Sequence, residues 1–272
     1  RRKPAAFQEK RRKSFLERQQ TLRRDSVDVF RNLVADDNKD GDIKVNSPRE
    51  VISEELAESV MDIELAVDEK RAVKPKRSST SKYRDVLMIP EYFIDIPSDF
   101  DSQWLVTNRP CGVRCLVISA QGTTISRGED GRVIERFKSL LPGGSAASTP
   151  GTPEWAARGG SNESSKNMYA VLDCIFCPMT ITYYILDLLN WKDYPLQECT
   201  AEFRVFWLAS KFSDECPPEV GTRFTPVSHD SISSLYHSSH SPYISDGLIF
   251  YHNNGHYVNG LSPLVLLWQD EK

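Results

Sequence analysis

The residues best suited to chemistry lie in the stretch RPCGVRCLVIS, residues 109–119. Gly112 favours a tight turn, Arg109 precedes that turn, and Arg114 follows it. The apolar run from Cys115 to Ile118 predicts a buried strand directly after the turn. An arginine in this place is suited to contact a phosphate group or an acceptor atom of guanine. The stretch therefore predicts a pair of strands that binds a nucleotide.

The same turn lacks a nucleophile. Nucleotidyltransferases that form a covalent lysyl-nucleotide carry Lys-x-Asp-Gly-x-Arg there, whereas this chain has Arg109 for the lysine and Cys111 for the aspartate. A guanidinium group, with a pKa above about 12, stays protonated and does not attack a phosphate. Two later stretches resemble motifs of that superfamily in the correct order, TYYILDLLNW at 182–191 and DGLIFYH at 246–252. The resemblance implies a guanine-nucleotide cleft that binds without catalysis.

Cysteine usage gives little support to a metal site. The chain has six cysteines and no visible secretory signal, so we expect them to stay reduced as small core residues. A structural zinc site would combine Cys174 and Cys177 with a second ligand pair, for which His252 and His256 are weak candidates. We therefore expect no bound metal and no cofactor.

The net charge of −4 conceals an asymmetric distribution. The first 34 residues are strongly basic, and the next stretch carries mostly Asp and Glu, a pattern typical of solvated tails and linkers. Residues 14–34 contain neither Pro nor Gly, which predicts a basic helix. A solvated surface, nucleic acid, a membrane surface and an acidic protein groove are all open as surroundings of this helix. Its apolar stripe consists of Phe15, Leu22, Val29 and Leu33.

Strand-like runs begin near Tyr83 and are separated mostly by turns and short loops. This spacing favours an α+β fold with an antiparallel-rich β core over alternating βαβ units. We predict a basic helical arm over 1–35, an acidic flexible linker over 36–82 and one domain over 83–272, with a mobile loop at 142–167. The predicted strands are Trp104 to Val106, Arg114 to Ile118, Val133 to Phe137, Tyr169 to Leu172, Thr182 to Leu189, Phe203 to Leu208, Gly247 to His252 and Leu264 to Trp268.

Taken together, the motifs resemble those of the snurportin family. RRKSFLERQQTLRRDSVDVFRNLVADD, at 11–37, is similar to the importin-beta-binding helix of that family. Its cap-binding domain is similar, in order and spacing, to the stretches FIDIPSDFDSQW, RFKSLLPGG, LDCIF, TYYILDLLNW, FRVFWLASK and DGLIFYH. The resemblance implies a guanylyltransferase-like domain without enzymatic activity. It also implies an import adaptor that binds the trimethylguanosine cap of spliceosomal U snRNAs, links the snRNP to importin-beta, meets an export receptor and shuttles between nucleus and cytoplasm.

The resemblance also places the cap contacts. In the family, the methylated base and the next nucleotide stack between an aliphatic residue, here Ile89, and a C-terminal tryptophan. That tryptophan is Trp268 if the last strand is shifted by one residue, whereas an ungapped alignment places Leu267 there. Glu129, at the position of a phosphate-facing lysine, would repel phosphate, and we expect Arg127 to replace it. The remaining implied cap-binding positions are Pro90, Tyr92, Val113, Arg114 and Cys115.

The arm is expected to bind the acidic inner surface of importin-beta. The residues involved are Arg11, Arg12, Lys13, Arg18, Arg23, Arg24 and Arg31. An alternative, a catalytically active RNA guanylyltransferase-like enzyme, requires Lys82 or Lys138 to reach the cleft. A general RNA-binding protein would use the basic arm, but the domain itself is not basic. No stretch approaches the roughly 18 apolar residues of a membrane span, so we expect a soluble protein without a membrane partner.

Overall fold

The computed structural model describes residues 5–21, 83–84, 86–157, 168–215, 223–231 and 243–269. The described helices are α1 (Ala5–Thr21), α2 (Phe100–Gln103), α3 (Pro153–Ala157) and α4 (Ala201–Glu215), with a 3-10 turn at Ala146–Ser148. The described strands are β1 (Met88–Tyr92), β2 (Trp104–Pro110), β3 (Val113–Ala120), β4 (Thr123–Gly128), β5 (Val133–Phe137), β6 (Tyr169–Cys177), β7 (Thr182–Trp191), β8 (Tyr194–Pro195), β9 (Phe224–Pro226), β10 (Asp230–Ser231), β11 (Ser245–His252) and β12 (Gly260–Gln269). No helix in these ranges is long and apolar enough to cross a membrane.

The strands form two sheets. The first sheet has the order β1-β12-β11-β2-β10, and the second has the order β5-β4-β3-β6-β7-β8, with β9 parallel to β7. Most pairs are antiparallel, β1 with β12 being a further parallel pair, which confirms the predicted antiparallel-rich α+β fold. Because β2 belongs to the first sheet and β3 to the second, the turn at 111–112 carries the chain from one sheet to the other.

Three apolar clusters follow from the alternation of side chains along the strands. The central core lies between the two sheets, and we call the faces that contribute to it the inner faces. A second cluster lies between the second sheet and α4. A third lies on the opposite side of the first sheet, which we call its outer face. Representative residues are Leu116, Val171, Ile249 and Val265 in the central core, Cys115, Leu172 and Leu208 under α4, and Trp104, Phe250 and Leu266 on the outer face.

The predicted strands are found within the observed ones, with one exception. Residues Phe203 to Leu208 were expected to form a strand but lie in the middle of α4, so this prediction is wrong. The buried residues of this segment, Ala201, Arg204 and Leu208, recur at helical spacing, whereas Phe206 is exposed. The aromatic residues that suggested a strand are therefore distributed around a helix.

Two predicted segments are described only in part. Residues 14–21 of the helix expected over 14–34 lie in α1, and residues 22–34, like the linker at 36–82, lie outside the described residues. The loop expected at 142–167 is described as far as residue 157. Its first residues form a hydrogen-bonded turn, in which the Gly143 N–H donates to the Ser148 carbonyl at 3.0 Å. The Ser119 hydroxyl on β3 donates to the Pro142 carbonyl at 2.9 Å and attaches this turn to the second sheet.

Gly112 is predicted not to tolerate a side chain. A Cβ atom there would lie 2.3 Å from the backbone oxygen of Phe176, which the pairing of β3 with β6 holds in place. We expect Gly112→Ala to lower the free energy of unfolding by about 1 to 3 kcal/mol, measured by urea denaturation. Gly128→Ala is the matched control, because the atom nearest to its added Cβ is a side-chain oxygen of the exposed Asp130, at 3.2 Å, and not a backbone atom. Equal stability of the two variants would contradict this account of the turn.

Candidate functional site

The turn between the sheets fixes Arg109 at the end of β2. Nη1 of Arg109 donates to both carboxylate oxygens of Asp246 on β11, and the two side chains are 18% and 15% exposed. Arg109 stands at the position of the motif's lysine and is one half of an ion pair. Its charge is therefore neutralised within the first sheet.

Arg114 is fixed on the inner face of the second sheet. Its Nε and Nη2 atoms donate to Oδ1 and Oδ2 of Asp173 on β6 at 3.1 and 2.6 Å. The Tyr257 hydroxyl donates to the same carboxylate at 2.8 Å and accepts the backbone N–H of Met88 at 3.0 Å. Burial opposes the charge on Arg114, but the nearby Asp173 carboxylate outweighs this effect and raises the pKa of Arg114. These hydrogen bonds connect Met88, the first residue of β1, to the second sheet.

A second carboxylate, Asp187, lies opposite Asp173 in the pairing of β6 with β7. Arg204 on α4 donates to its two oxygens, each at 2.8 Å, and also to the backbone carbonyls of Cys199 and Gly255. Arg204 and Asp187 are 1% and 4% exposed. Since a buried charge is costly without a partner, each carboxylate is matched by one arginine. Both are therefore neutralised by the protein itself and are not free to ligate a divalent cation.

β1 presents three of the predicted cap contacts at the edge of the first sheet. Ile89 and Tyr92 are 42% and 71% exposed, and Pro90 is partly buried. An edge strand accommodates a proline because one side of it makes no ladder hydrogen bonds. The pairing of β1 with β12 shifts between Pro90 and Glu91, and beyond the shift Tyr92 pairs with Leu267. The exposed ring of Tyr92 thus lies beside Leu267.

The pairing of β12 determines which of Leu267 and Trp268 faces the inner side of the first sheet. Leu267 packs against the central core and pairs with Ile249 of β11, whose side chain lies in that core. Trp268 pairs with Leu248, which packs against the cluster on the outer face. Successive side chains on a strand point to opposite faces, so Leu267 faces the second sheet and Trp268 faces away from it. The half-exposed ring of Trp268 therefore lies on the opposite face of the strand from Leu267, and its predicted cap contact stays a prediction.

The residues after the turn divide between the two faces of β3. Val113 is half-exposed at the start of the strand. Cys115 lies in the cluster under α4, where burial raises the pKa of its thiol. Its side chain therefore points away from the inner face that carries Arg114. The predicted cap contact of Cys115 stays a prediction.

Arg127 is not at the protein surface. It is 1% exposed, its guanidinium carbon lies 3.8 Å from the ring centroid of Tyr83, and its Nη1 donates to the Gly131 carbonyl at 3.0 Å. Glu129, in the turn after β4, is exposed. Its charge is stacked beneath the ring of Tyr83, and the expectation that Arg127 replaces a phosphate-facing lysine stays a prediction.

α1 contains four of the basic residues predicted to bind importin-beta. Arg11 contacts Glu91 of β1, and Arg12 is 6% exposed. Lys13 and Arg18 are exposed to solvent. Three further predicted residues, Arg23, Arg24 and Arg31, lie outside the described residues, and their contacts stay predictions.

The cysteines and histidines considered for zinc are not brought together. Cys174 is buried under α4, whereas the His252 ring packs edge-on against Trp104 on the outer face of the first sheet. Over the part of the chain that the structure describes, no group of three or more His, Cys, Asp or Glu residues is arranged to hold a metal ion.

Residues 86–269 match the family model described as the Snurportin1 m3G cap-binding domain, where m3G denotes trimethylguanosine. The match covers more than half of the 272 residues. The chain belongs to the snurportin family. The matched region extends from just before β1 to the end of β12, so both sheets and the ion pairs described above lie within this m3G cap-binding domain.

The snurportin-family domain is also similar to solved DNA ligases. The ligase domain of LigD from M. tuberculosis is 14% identical with a TM-score of 0.43, and the match covers 68% of this chain and 59% of that chain. Mycobacterial DNA ligase D in complex with ATP and MES is 15% identical with a TM-score of 0.44, covering 68% and 60%. The Chlorella virus DNA ligase-adenylate is 10% identical with a TM-score of 0.38, covering 66% and 67%. The chain thus spans about three fifths of the two ligase D chains.

Sequence reasoning missed the carboxylates that hold the snurportin-family site together. Asp173 and Asp187 each stand within an otherwise apolar strand, and this was an available signal, because a buried acid needs a partner. The identity of the partners was not available, since Arg114 is 59 residues from Asp173 and Arg204 is 17 residues from Asp187.

Proposed function

We propose that this protein is a nuclear import adaptor. Its cap-binding domain holds the trimethylguanosine cap of a spliceosomal U snRNA, its arm binds importin-beta, and the loaded complex enters the nucleus. An export receptor then returns the adaptor to the cytoplasm. The observation that carries the proposal is the presence of an m3G cap-binding domain and a basic arm helix in one chain.

Cap recognition is proposed to take place beside β1, on the inner side of the first sheet. Methylation at N7 gives the cap guanine a positive charge that favours an aromatic face, and Tyr92 supplies an exposed ring. The two methyl groups on N2 remove hydrogen-bond donors and add apolar surface. Leu267, next to Tyr92, offers an apolar contact for that surface. Shape and stacking are therefore assigned most of the selectivity.

Ion pairs between the cap phosphates and arginine side chains are assigned a smaller contribution to cap binding. The guanidinium groups of Arg109 and Arg114 are each held by a carboxylate, and Arg127 is buried under Tyr83. A cap phosphate would have to compete with these partners for a hydrogen bond. The salt dependence of cap binding is therefore expected to be shallow, because few phosphate charges are neutralised by free cations.

The cap site is tested by comparing Leu267→Ala with Trp268→Ala. We expect Leu267→Ala to weaken binding of a trimethylguanosine cap dinucleotide about tenfold, the equivalent of about 1.4 kcal/mol, and Trp268→Ala to leave it nearly unchanged. Both variants are expected to keep a preference for the N7-methylated cap, because the exposed ring of Tyr92 remains in place. Fluorescence titration of both variants with both caps gives the affinities, and a thermal melt of each verifies folding. Loss of affinity at Trp268 alone would contradict the assignment.

We further propose that the domain is a binder and not an enzyme. Arg109 cannot serve as a nucleophile, and the two inner carboxylates are each paired with an arginine. The alternative, a guanylyltransferase-like enzyme, needs another lysine. Lys138 contacts the carbonyl of Gly122, which follows the last residue of β3, whereas the turn at 111–112 precedes the first residue of that strand. The length of β3 therefore separates Lys138 from the turn by about 20 Å. Lys82 lies outside the described residues.

The absence of catalysis is tested by restoring the motif. The double variant Arg109→Lys and Cys111→Asp, incubated with labelled GTP, is expected to yield no heat-stable protein adduct, because Asp173 and Asp187, the carboxylates described on the inner face, are each paired with an arginine. The unaltered protein serves as control. A covalent GMP adduct in the double variant would show that the catalytic machinery is present.

A charge reversal in the arm tests whether the arm and the cap-binding domain bind their partners independently. Reversing Arg23 and Arg24 to Glu is expected to abolish importin-beta binding, because the acidic surface of the receptor then meets like charge. Cap affinity should remain within about twofold of the unaltered protein. Both quantities are measured on the same preparation by pull-down and titration. An equal fall in cap affinity would contradict two independent modules.

A further inference from the structure

The arm helix α1 does not project into solvent but lies against the folded domain. Near its start, Gln8 donates to Oε2 of Glu91 at 3.0 Å, and Arg11 donates to the same oxygen. Near its end, the backbone N–H of His256 donates to Oε1 of Gln19 at 3.1 Å. The contacts at the two ends hold the helix across the first sheet, from β1 to the segment that joins β11 and β12.

Arg12 provides the centre of this contact. Its guanidinium carbon lies 5.9 Å from the ring centroid of Trp104 on the outer face, and the side chain is 6% exposed. Burial lowers the pKa of Arg12, whereas the charges of Asp99, Glu9 and Glu91 oppose this effect. The Ser98 hydroxyl, next to Asp99 in the sequence, donates to Glu9 of α1 at 3.0 Å. The outer face of the first sheet therefore supplies an aromatic ring and two carboxylates to the arm.

The docked helix divides the basic residues of α1 into two groups. Arg11 and Arg12 are turned toward the domain, whereas Lys13 is 72% exposed and Arg18 is also exposed. The contacts that hold α1 are mainly hydrogen bonds and ion pairs, which contribute less than a buried apolar interface of the same size. Such a contact is suited to reversible docking.

We propose that the outer face of the first sheet, centred on Glu91, Asp99 and Trp104, is an intramolecular docking surface for α1, and that importin-beta competes with this surface for the arm. This inference rests on the proposed function of the arm. Arg11 cannot contact Glu91, and Arg12 cannot lie over Trp104, while the same side chains bind an acidic receptor. Importin-beta therefore binds only the undocked fraction, and its apparent dissociation constant is raised by the reciprocal of that fraction.

The docking surface is tested from the domain side, with the arm sequence unchanged. Glu91→Gln in the full chain removes the negative charge that Arg11 contacts but keeps the size of the side chain. Glu154→Gln is the matched control, because Glu154 is an exposed glutamate on α3 and is not part of the surface that contacts α1. Importin-beta affinity is measured by titration, and hydrogen exchange of the α1 amides is measured without receptor.

The expected result is specific to Glu91→Gln. Importin-beta should bind this variant about two- to fivefold more tightly than the unaltered chain, and its α1 amides should exchange faster, whereas Glu154→Gln changes neither. Equal receptor affinity and equal α1 exchange in all three proteins would overturn the docking proposal. If the α1 amides exchange faster in Glu91→Gln but none of the three proteins binds importin-beta, the proposed function of the arm is contradicted. The proposed competition between importin-beta and the docking surface is then contradicted as well.

Discussion

The Tyr257 hydroxyl holds the two sheets in the relation on which the site depends. It donates to Asp173 on the second sheet and accepts from the backbone of Met88 at the start of β1. Asp173 is 1% exposed and is completed by Arg114, so the link is buried and fully hydrogen-bonded. Burial, followed by the Asp173 charge, raises the pKa of Tyr257 and keeps the hydroxyl protonated as a donor. Ile89, Pro90 and Tyr92 follow Met88 directly, so their positions relative to the second sheet depend on this link.

The same network belongs to a cap-binding domain that we propose has no catalytic role. The domain has three closed ion pairs: Arg109 with Asp246, Arg114 with Asp173 and Arg204 with Asp187. A buried ion pair stabilises little compared with apolar packing, but removal of either partner is strongly destabilising. The charges are therefore committed to the structure, and recognition is left to exposed apolar and aromatic residues on β1 and to Leu267.

Patterns within one segment were predictable from the sequence, and pairings between segments were not. The antiparallel-rich α+β core follows from short apolar runs separated by turns, and the turn at Gly112 follows from a single residue type. The Phe203 to Leu208 segment was misassigned because its aromatic residues are common in strands, whereas its burial follows a helical period. The face of Trp268 depends on a one-residue register, which β11 and β12 set through their pairing. The burial of Arg127 depends on Tyr83, a residue distant in sequence.

The central claim is that the domain recognises a methylated guanine cap by shape and stacking. Isothermal titration of the full chain with a trimethylguanosine cap dinucleotide and with its unmethylated counterpart tests this claim most directly. The account predicts saturable binding at one site, tighter for the trimethylated cap, with an affinity that changes little between low and moderate salt. Absence of binding, a preference for the unmethylated cap, or a steep loss of affinity with salt would contradict it.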